Sequence, residues 1–131
     1  MKQLIDASSI YEAARIDRIP VLDGLYTVEI ARYEIGNTLW KHTSLHGDFT
    51  PEESAEMMLL FMDAFTVMCF LQLKGHEKGV LELASELKIP YYDASYIYFA
   101  VKHELSLVTE DTQMAKTGRE IGLDCVSIKE L

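Results

Sequence analysis

The apolar positions along this chain change their period repeatedly, and each change marks an element boundary. Gln3 to Asp6 carries a short apolar run, Leu4-Ile5, that stops at Asp6-Ala7-Ser8-Ser9, and helical spacing resumes at Ile10, Ala13 and Ala14. The pattern predicts strand, turn, helix, with Ser8 or Ser9 as the helix N-cap. Pro20 to Tyr26 places Val21-Leu22 and Leu25-Tyr26 around Asp23-Gly24, which reads as a turn leading into a short strand. Beyond it, Val28, Ala31, Ile35, Leu39 and Trp40 keep helical spacing, so an amphipathic helix is expected to about His42, with Glu34 inside it.

Leu45 to Phe49 is a loop. Thr50, Pro51 and Glu53 then supply an N-cap, a first helical residue and a capping-box partner for a helix reaching about Asp63. Thr66 to Leu73 is nearly continuous in apolar residues, the mark of a strand covered on both faces, with a buried helical segment as the alternative. Gly75 interrupts it. A helix over Lys78 to Leu87 presents Val80, Leu81, Leu83, Ala84 and Leu87 on its apolar side and ends at Ile89-Pro90. A further helix, Asp93 to about His103, leads to a strand over Leu105 to Thr109. Asp111 to Ile121 is the last helix, with Gly122 at its C-cap side, and Cys125 to Ile128 the last strand. Strands alternating with helices predict parallel pairing through right-handed crossovers, hence one three-layer α/β domain over residues 1–131 with a central parallel sheet.

Composition narrows the class. With 131 residues the chain fits one domain that buries roughly two-thirds of its unfolded surface, and 49% apolar against 25% charged residues argues against disorder. The longest apolar stretch, Ala64 to Leu71, is too short to span a bilayer and the N-terminus lacks signal-peptide character, so a cytoplasmic protein is expected. Cys69 and Cys125 lie in apolar runs with no His or Cys at ligand spacing, and read as core thiols rather than a disulfide or zinc site. A net charge of −9 gives no general attraction for nucleic acid. It disfavours a simple nucleic-acid-binding module but not an enzyme whose positive charge arrives as bound metal.

Sites in open α/β sheets form outside the carboxyl ends of the strands. Asp6 closes the first expected strand and Asp111 follows the strand at Leu105 to Thr109. Asp93 starts a helix, where a plain N-cap worth about 1 kcal/mol is, for this residue taken alone, a better explanation than chemistry. Glu34, amid Ala31, Ile35 and Leu39, faces either the sheet or water on spacing alone. Two carboxylates about 5 Å apart repel by roughly 3 kcal/mol at an effective dielectric of 20, so convergence of these acids would demand cations or protons. An all-carboxylate donor set suits Mg²⁺ or Mn²⁺ rather than Zn²⁺. The histidines, His42, His46, His76 and His103, have no spaced nucleophile or acid, so neither a Ser-His-Asp nor a Cys-His arrangement competes.

Leu4-Ile5-Asp6-Ala7-Ser8, Tyr33-Glu34-Ile35-Gly36-Asn37, Tyr92-Asp93-Ala94-Ser95-Tyr96 and Val108-Thr109-Glu110-Asp111 resemble, in order and over essentially the whole chain, the motifs of PIN-domain ribonucleases. Within that family the chain looks most like the VapC-type toxin of a prokaryotic toxin-antitoxin pair. The resemblance implies a metal-dependent endoribonuclease that hydrolyses RNA phosphodiester bonds, with Asp6, Glu34, Asp93 and Asp111 as catalytic metal ligands and Ser8 and Thr109 in support. Glu110 departs from the small residue common at its position, and is expected to face solvent. The resemblance also implies a cognate antitoxin near the active site and a homodimer. Met57 to Met62 is too continuously apolar for a helix with one buried face and is the expected dimer surface. Arg15, Lys41 and Lys116 lie near the motif-bearing segments and are the RNA-contact candidates. Two rivals share the fold class. A phosphoacceptor signalling domain would need a paired acid on the first strand, a mid-chain strand-terminal Asp and a late strand-terminal Lys, and only Asp6 is present. A non-catalytic interaction domain whose acids are merely structural is separable by alanine at Asp6 or Asp93.

Overall fold

The computed structural model describes residues 2–131. Five short strands, β1 (Gln3–Ile5), β2 (Tyr26–Val28), β3 (Cys69–Leu71), β4 (Ser106–Val108) and β5 (Cys125–Val126), form one parallel sheet in the order β3-β2-β1-β4-β5. Six helices connect or flank them: α1 (Ala7–Arg15), α2 (Ile30–Trp40), α3 (Pro51–Phe65), α4 (Glu77–Leu87), α5 (Tyr91–Lys102) and α6 (Thr112–Glu120).

Successive strand residues point to opposite faces of a sheet, and the chain uses both. Ile5, Phe70, Val108 and Val126 pack into one core with α1, α2 and α3, through Ile10, Ala31, Ile35, Phe61 and Phe65. Their strand neighbours Leu4, Leu71, Leu107 and Cys125 pack into a second core with α5 and α6, through Ile97, Phe99 and Met114. Two cores on two faces make the three-layer α/β/α arrangement expected from the alternation of elements.

Several boundaries move. Val28 ends β2, and the helix expected to begin there starts at Ile30 and runs on from Trp40 into a π-helical turn, Lys41–Leu45. The cap of α1 is Asp6, which accepts from the Ser9 amide, and not Ser8 or Ser9. The expected capping box at Thr50 and Glu53 is present. Pro90 caps α5, so Tyr91 and Tyr92 are helical and Asp93 sits a full position inside the first turn. The strand expected over Thr66 to Leu73 shrinks to Cys69–Leu71 because it is the sheet edge, and Cys69 there is exposed rather than a core thiol; Cys125 is buried. No helix among the described residues is long and apolar enough to cross a membrane.

Candidate active site

The strand order sets where a site can form. From the central β1 the chain builds outward through β2 and β3, then returns to lay β4 on the other side of β1. That reversal opens a crevice beyond the carboxyl ends of β1 and β4, the usual ligand position in such sheets. Asp6 and Asp111 both emerge there, and the Asp6 amide continues the β1–β4 pairing by donating to the Val108 carbonyl.

Asp6 is buried, and its carboxylate is held from three sides. Oδ1 accepts from the Ser9 amide at 2.9 Å and from Ser8 Oγ at 3.0 Å, while Oδ2 accepts from Thr109 Oγ1 at 2.5 Å. Thr109 Oγ1 in turn accepts from the Asp111 amide at 3.0 Å, so one hydroxyl ties the first acid to the fourth. Ser8 and Thr109, the two residues expected in support, thus both donate a hydrogen bond to Asp6. Asp111 caps α6 with one oxygen only: Oδ1 accepts from the amides of Gln113 and Met114, which leaves Oδ2 unengaged.

Glu34, half-buried on α2, accepts from the Tyr96 hydroxyl at 2.6 Å through Oε1. Asp93 makes no side-chain hydrogen bond among the described residues; the N-cap explanation for it does not apply, because Pro90 holds that position. Burial pushes the Asp6, Glu34 and Asp93 carboxyls above their ordinary range. The hydrogen bonds on Asp6 oppose the rise there, and Tyr96 opposes it at Glu34, while Asp6 and Asp93 add repulsion at Glu34, and Asp111 and Asp6 add it at Asp93. Burial, followed by the negative charge of Glu34, raises the Tyr96 phenol far beyond its ordinary value, so it stays a donor.

All four acids line one cleft of about 170 Å³ together with Ala7, Ser8, Tyr96 and Met114. The ion pairs of the described residues, Arg15–Glu12, Arg32–Glu29, His42–Asp48 and Lys78–Glu82, leave these carboxylates without a cation. Among the described residues no three acidic, histidine or cysteine side chains are arranged so as to hold a metal ion together. The chemistry of the donors nevertheless fits a hard divalent cation: every candidate donor is a carboxylate oxygen, and among the described residues Glu34 Oε2, Asp111 Oδ2 and both Asp93 oxygens carry no protein hydrogen bond.

The cationic candidates separate by position. Lys41 borders a groove that shares Glu34 with the acidic cleft. Arg15, the last residue of α1, pairs with Glu12 and stands a helix length, about 12 Å, from the start of α1 at the cleft. Lys116 is exposed on α6 and does not line the cleft. Glu110 does not face solvent as expected. Its carboxylate accepts from Ser127 Oγ and the Ile128 amide at 2.7 Å, pinning the C-terminal segment to the end of β4. Tyr96 enters the sequence reading only as the last residue of the Asp93 motif, without a site role, although its place three residues after Asp93 puts it on the same helical face.

No family model matches the chain. Exonuclease VapC9 of Pyrobaculum aerophilum is 32% identical over 98% of this chain and 96% of its own length. Ribonuclease VapC3 of the same organism is 28% identical over 88% of this chain and 94% of its own. The crystal structure of PAE2754 from Pyrobaculum aerophilum superposes with a TM-score of 0.81 at 26% identity, covering 99% of this chain and 85% of that one. A toxin-antitoxin complex from Klebsiella pneumoniae shares the fold, with a TM-score of 0.62 at 15% identity over 87% of this chain and 90% of that one. Near-complete alignment with a relative at 32% identity, on the fold that its ordered motifs implied, makes the chain a member of the VapC family of PIN-domain nucleases.

Proposed function

We propose that this nuclease is a Mg²⁺- or Mn²⁺-dependent endoribonuclease and the toxin of a toxin-antitoxin pair. The observation that carries the reading is the gathering of Asp6, Glu34, Asp93 and Asp111 in one cleft with no cation among the described residues paired to them. RNA as substrate is supported by the relative named ribonuclease VapC3, and an antitoxin partner by the shared fold of the Klebsiella toxin-antitoxin complex.

These four carboxylates would hold the metal, which supplies an acidified water and charge neutralisation at the phosphate. The chain's own contribution is orientation. Ser8, the Ser9 amide and Thr109 fix the Asp6 carboxylate, and Tyr96 fixes Glu34 Oε1 while leaving Oε2 turned free. Both Asp93 oxygens are open to receive a proton. A homodimer through the exposed Leu59, Leu60 and Met62 of α3 completes the reading.

Linear and circular single-stranded RNA, incubated with the protein in Mg²⁺, Mn²⁺ or chelator at several salt concentrations, provides the test. Cutting of the circle, dependence on added metal, and loss by more than about a hundredfold in folded Asp6→Asn and Asp93→Asn proteins are expected. Cleavage that survives chelation, or an unchanged rate in Asp93→Asn, would overturn the assignment. Co-expression with a candidate antitoxin should suppress the cleavage; an intact rate in a complex of the two removes the antitoxin half.

A further inference from the structure

Tyr33 and Tyr92 are large aromatics with no structural task. They are 78% and 57% exposed, belong to neither core, and make no side-chain hydrogen bond among the described residues. Tyr91 shows the contrast: its hydroxyl donates to the Glu77 carbonyl and its ring packs on the small cluster between α4 and α5. Each free tyrosine immediately precedes an acid of the cleft, Glu34 or Asp93. Both line the same groove, about 520 Å³, which adjoins the cleft through Glu34, and both border an apolar recess of about 180 Å³ floored by Val28, Ile30 and Leu73.

Along α2 the groove wall has a regular order. Tyr33, Asn37 and Lys41 follow at intervals of four and share one helical face, giving a flat ring, an amide and a cation in line away from the acids. Lys41 forms no ion pair among the described residues. The net charge of −9 denies this protein the general phosphate-driven affinity that basic nucleases use, so uncharged contacts must carry a larger share of binding. Stacking of bases on aromatic rings supplies about 1–3 kcal/mol per base without regard to net charge.

We propose that Tyr33 and Tyr92 form a stacking clamp for one unpaired nucleobase of the RNA strand beside the acidic cleft, with Lys41 meeting the adjoining phosphate. The clamp rests on the ribonuclease reading and assigns its specificity-determining residues. It selects single-stranded substrate, because a paired base presents neither face to the groove.

Steady-state cleavage of a single-stranded oligoribonucleotide by Tyr33→Ala, Tyr92→Ala and the matching Phe variants tests it. Alanine should raise KM about ten- to hundredfold with kcat within about twofold, and phenylalanine should restore it, since the ring and not the hydroxyl binds. A 2-aminopurine base walked along the oligonucleotide, bound to Asp111→Asn protein to prevent cleavage, should lose fluorescence at one position and regain it in the alanine variants. Unchanged KM and quenching in the alanine variants, with RNA still cut by the parent protein, overturns the clamp and leaves the nuclease reading standing. Should the parent protein fail to cut RNA with metal present, the reading falls and the clamp with it. Alanine variants that cleave normally but escape the antitoxin would assign the groove to the protein partner instead.

Discussion

The upward shifts at Asp6, Glu34 and Asp93 make the cleft a place where the fold is strained by charge. A carboxyl raised in the folded state binds its proton more tightly there than in the unfolded chain. The contribution of these three groups to metal-free stability is therefore greatest at low pH and falls as pH climbs from the ordinary values, 3.8 for Asp and 4.5 for Glu, through the raised ones. Asp93→Asn removes one such charge without a hydrogen bond to lose. It should stabilise the metal-free protein at pH 7 by about 1 kcal/mol after solvent screening, a few degrees in Tm, and the gain should vanish below pH 4. Thermal unfolding of both proteins across pH in chelator measures this; a variant less stable at pH 7 would contradict it. At this scale the acids were legible because each stands in a local motif. Tyr96 on Glu34 was not, since the two are brought together only by packing across 62 positions of sequence. The same holds for Glu110, whose partners Ser127 and Ile128 arrive from beyond α6.

Helix ends carry much of the positioning, and Asp111 serves two of these needs with separate oxygens. Oδ1 caps α6, while Oδ2 of this cleft-lining residue accepts no hydrogen bond among the described residues. Asparagine keeps an oxygen for the cap and removes the charge; alanine removes both. Asp111→Asn should unfold within about 0.5 kcal/mol of the parent, whereas Asp111→Ala should lose about 1 kcal/mol, and both should show a smaller rise in Tm on adding Mg²⁺. Paired melts with and without the cation decide it, and a full metal response in Asp111→Asn would remove Asp111 from the ligand set. The cap of Thr50 with Glu53 was readable because Pro51 marks the first helical residue between them, whereas the equally local cap of α1 was ambiguous, since Asp6, Ser8 and Ser9 are all good caps and only the end of β1 selects Asp6. The extent of β3 was not. An apolar run reads alike in a central and an edge strand, and only the sheet order makes Cys69 an edge residue with its side chain in solvent.

At the scale of the whole molecule, alternating strands and helices specify a parallel three-layer fold, but not which strands become neighbours. The order β3-β2-β1-β4-β5 is decided by long-range packing, and it alone brings β1 and β4 together so that acids 105 positions apart, Asp6 and Asp111, share a hydroxyl. The same packing leaves α3 with a surplus. Phe61 is fully buried, yet Leu59, Leu60 and Met62 remain 64%, 56% and 54% exposed, on a helix that already buries Ala64 and Phe65 against the sheet. Burying a side chain of this type yields about 1.5–3 kcal/mol, so a second copy meeting this patch would recover several kcal/mol from each protomer. The chain, 14.9 kDa, is then expected to travel in solution at about twice that mass, and Leu59→Glu with Met62→Glu should return it to one copy while leaving the cleft, whose lining includes no α3 residue, able to cut RNA. Light scattering across protein concentration reads the mass directly. A parent protein that stays at one copy through the micromolar range would leave the patch without this partner, and a double variant that remains paired would place the interface on another face.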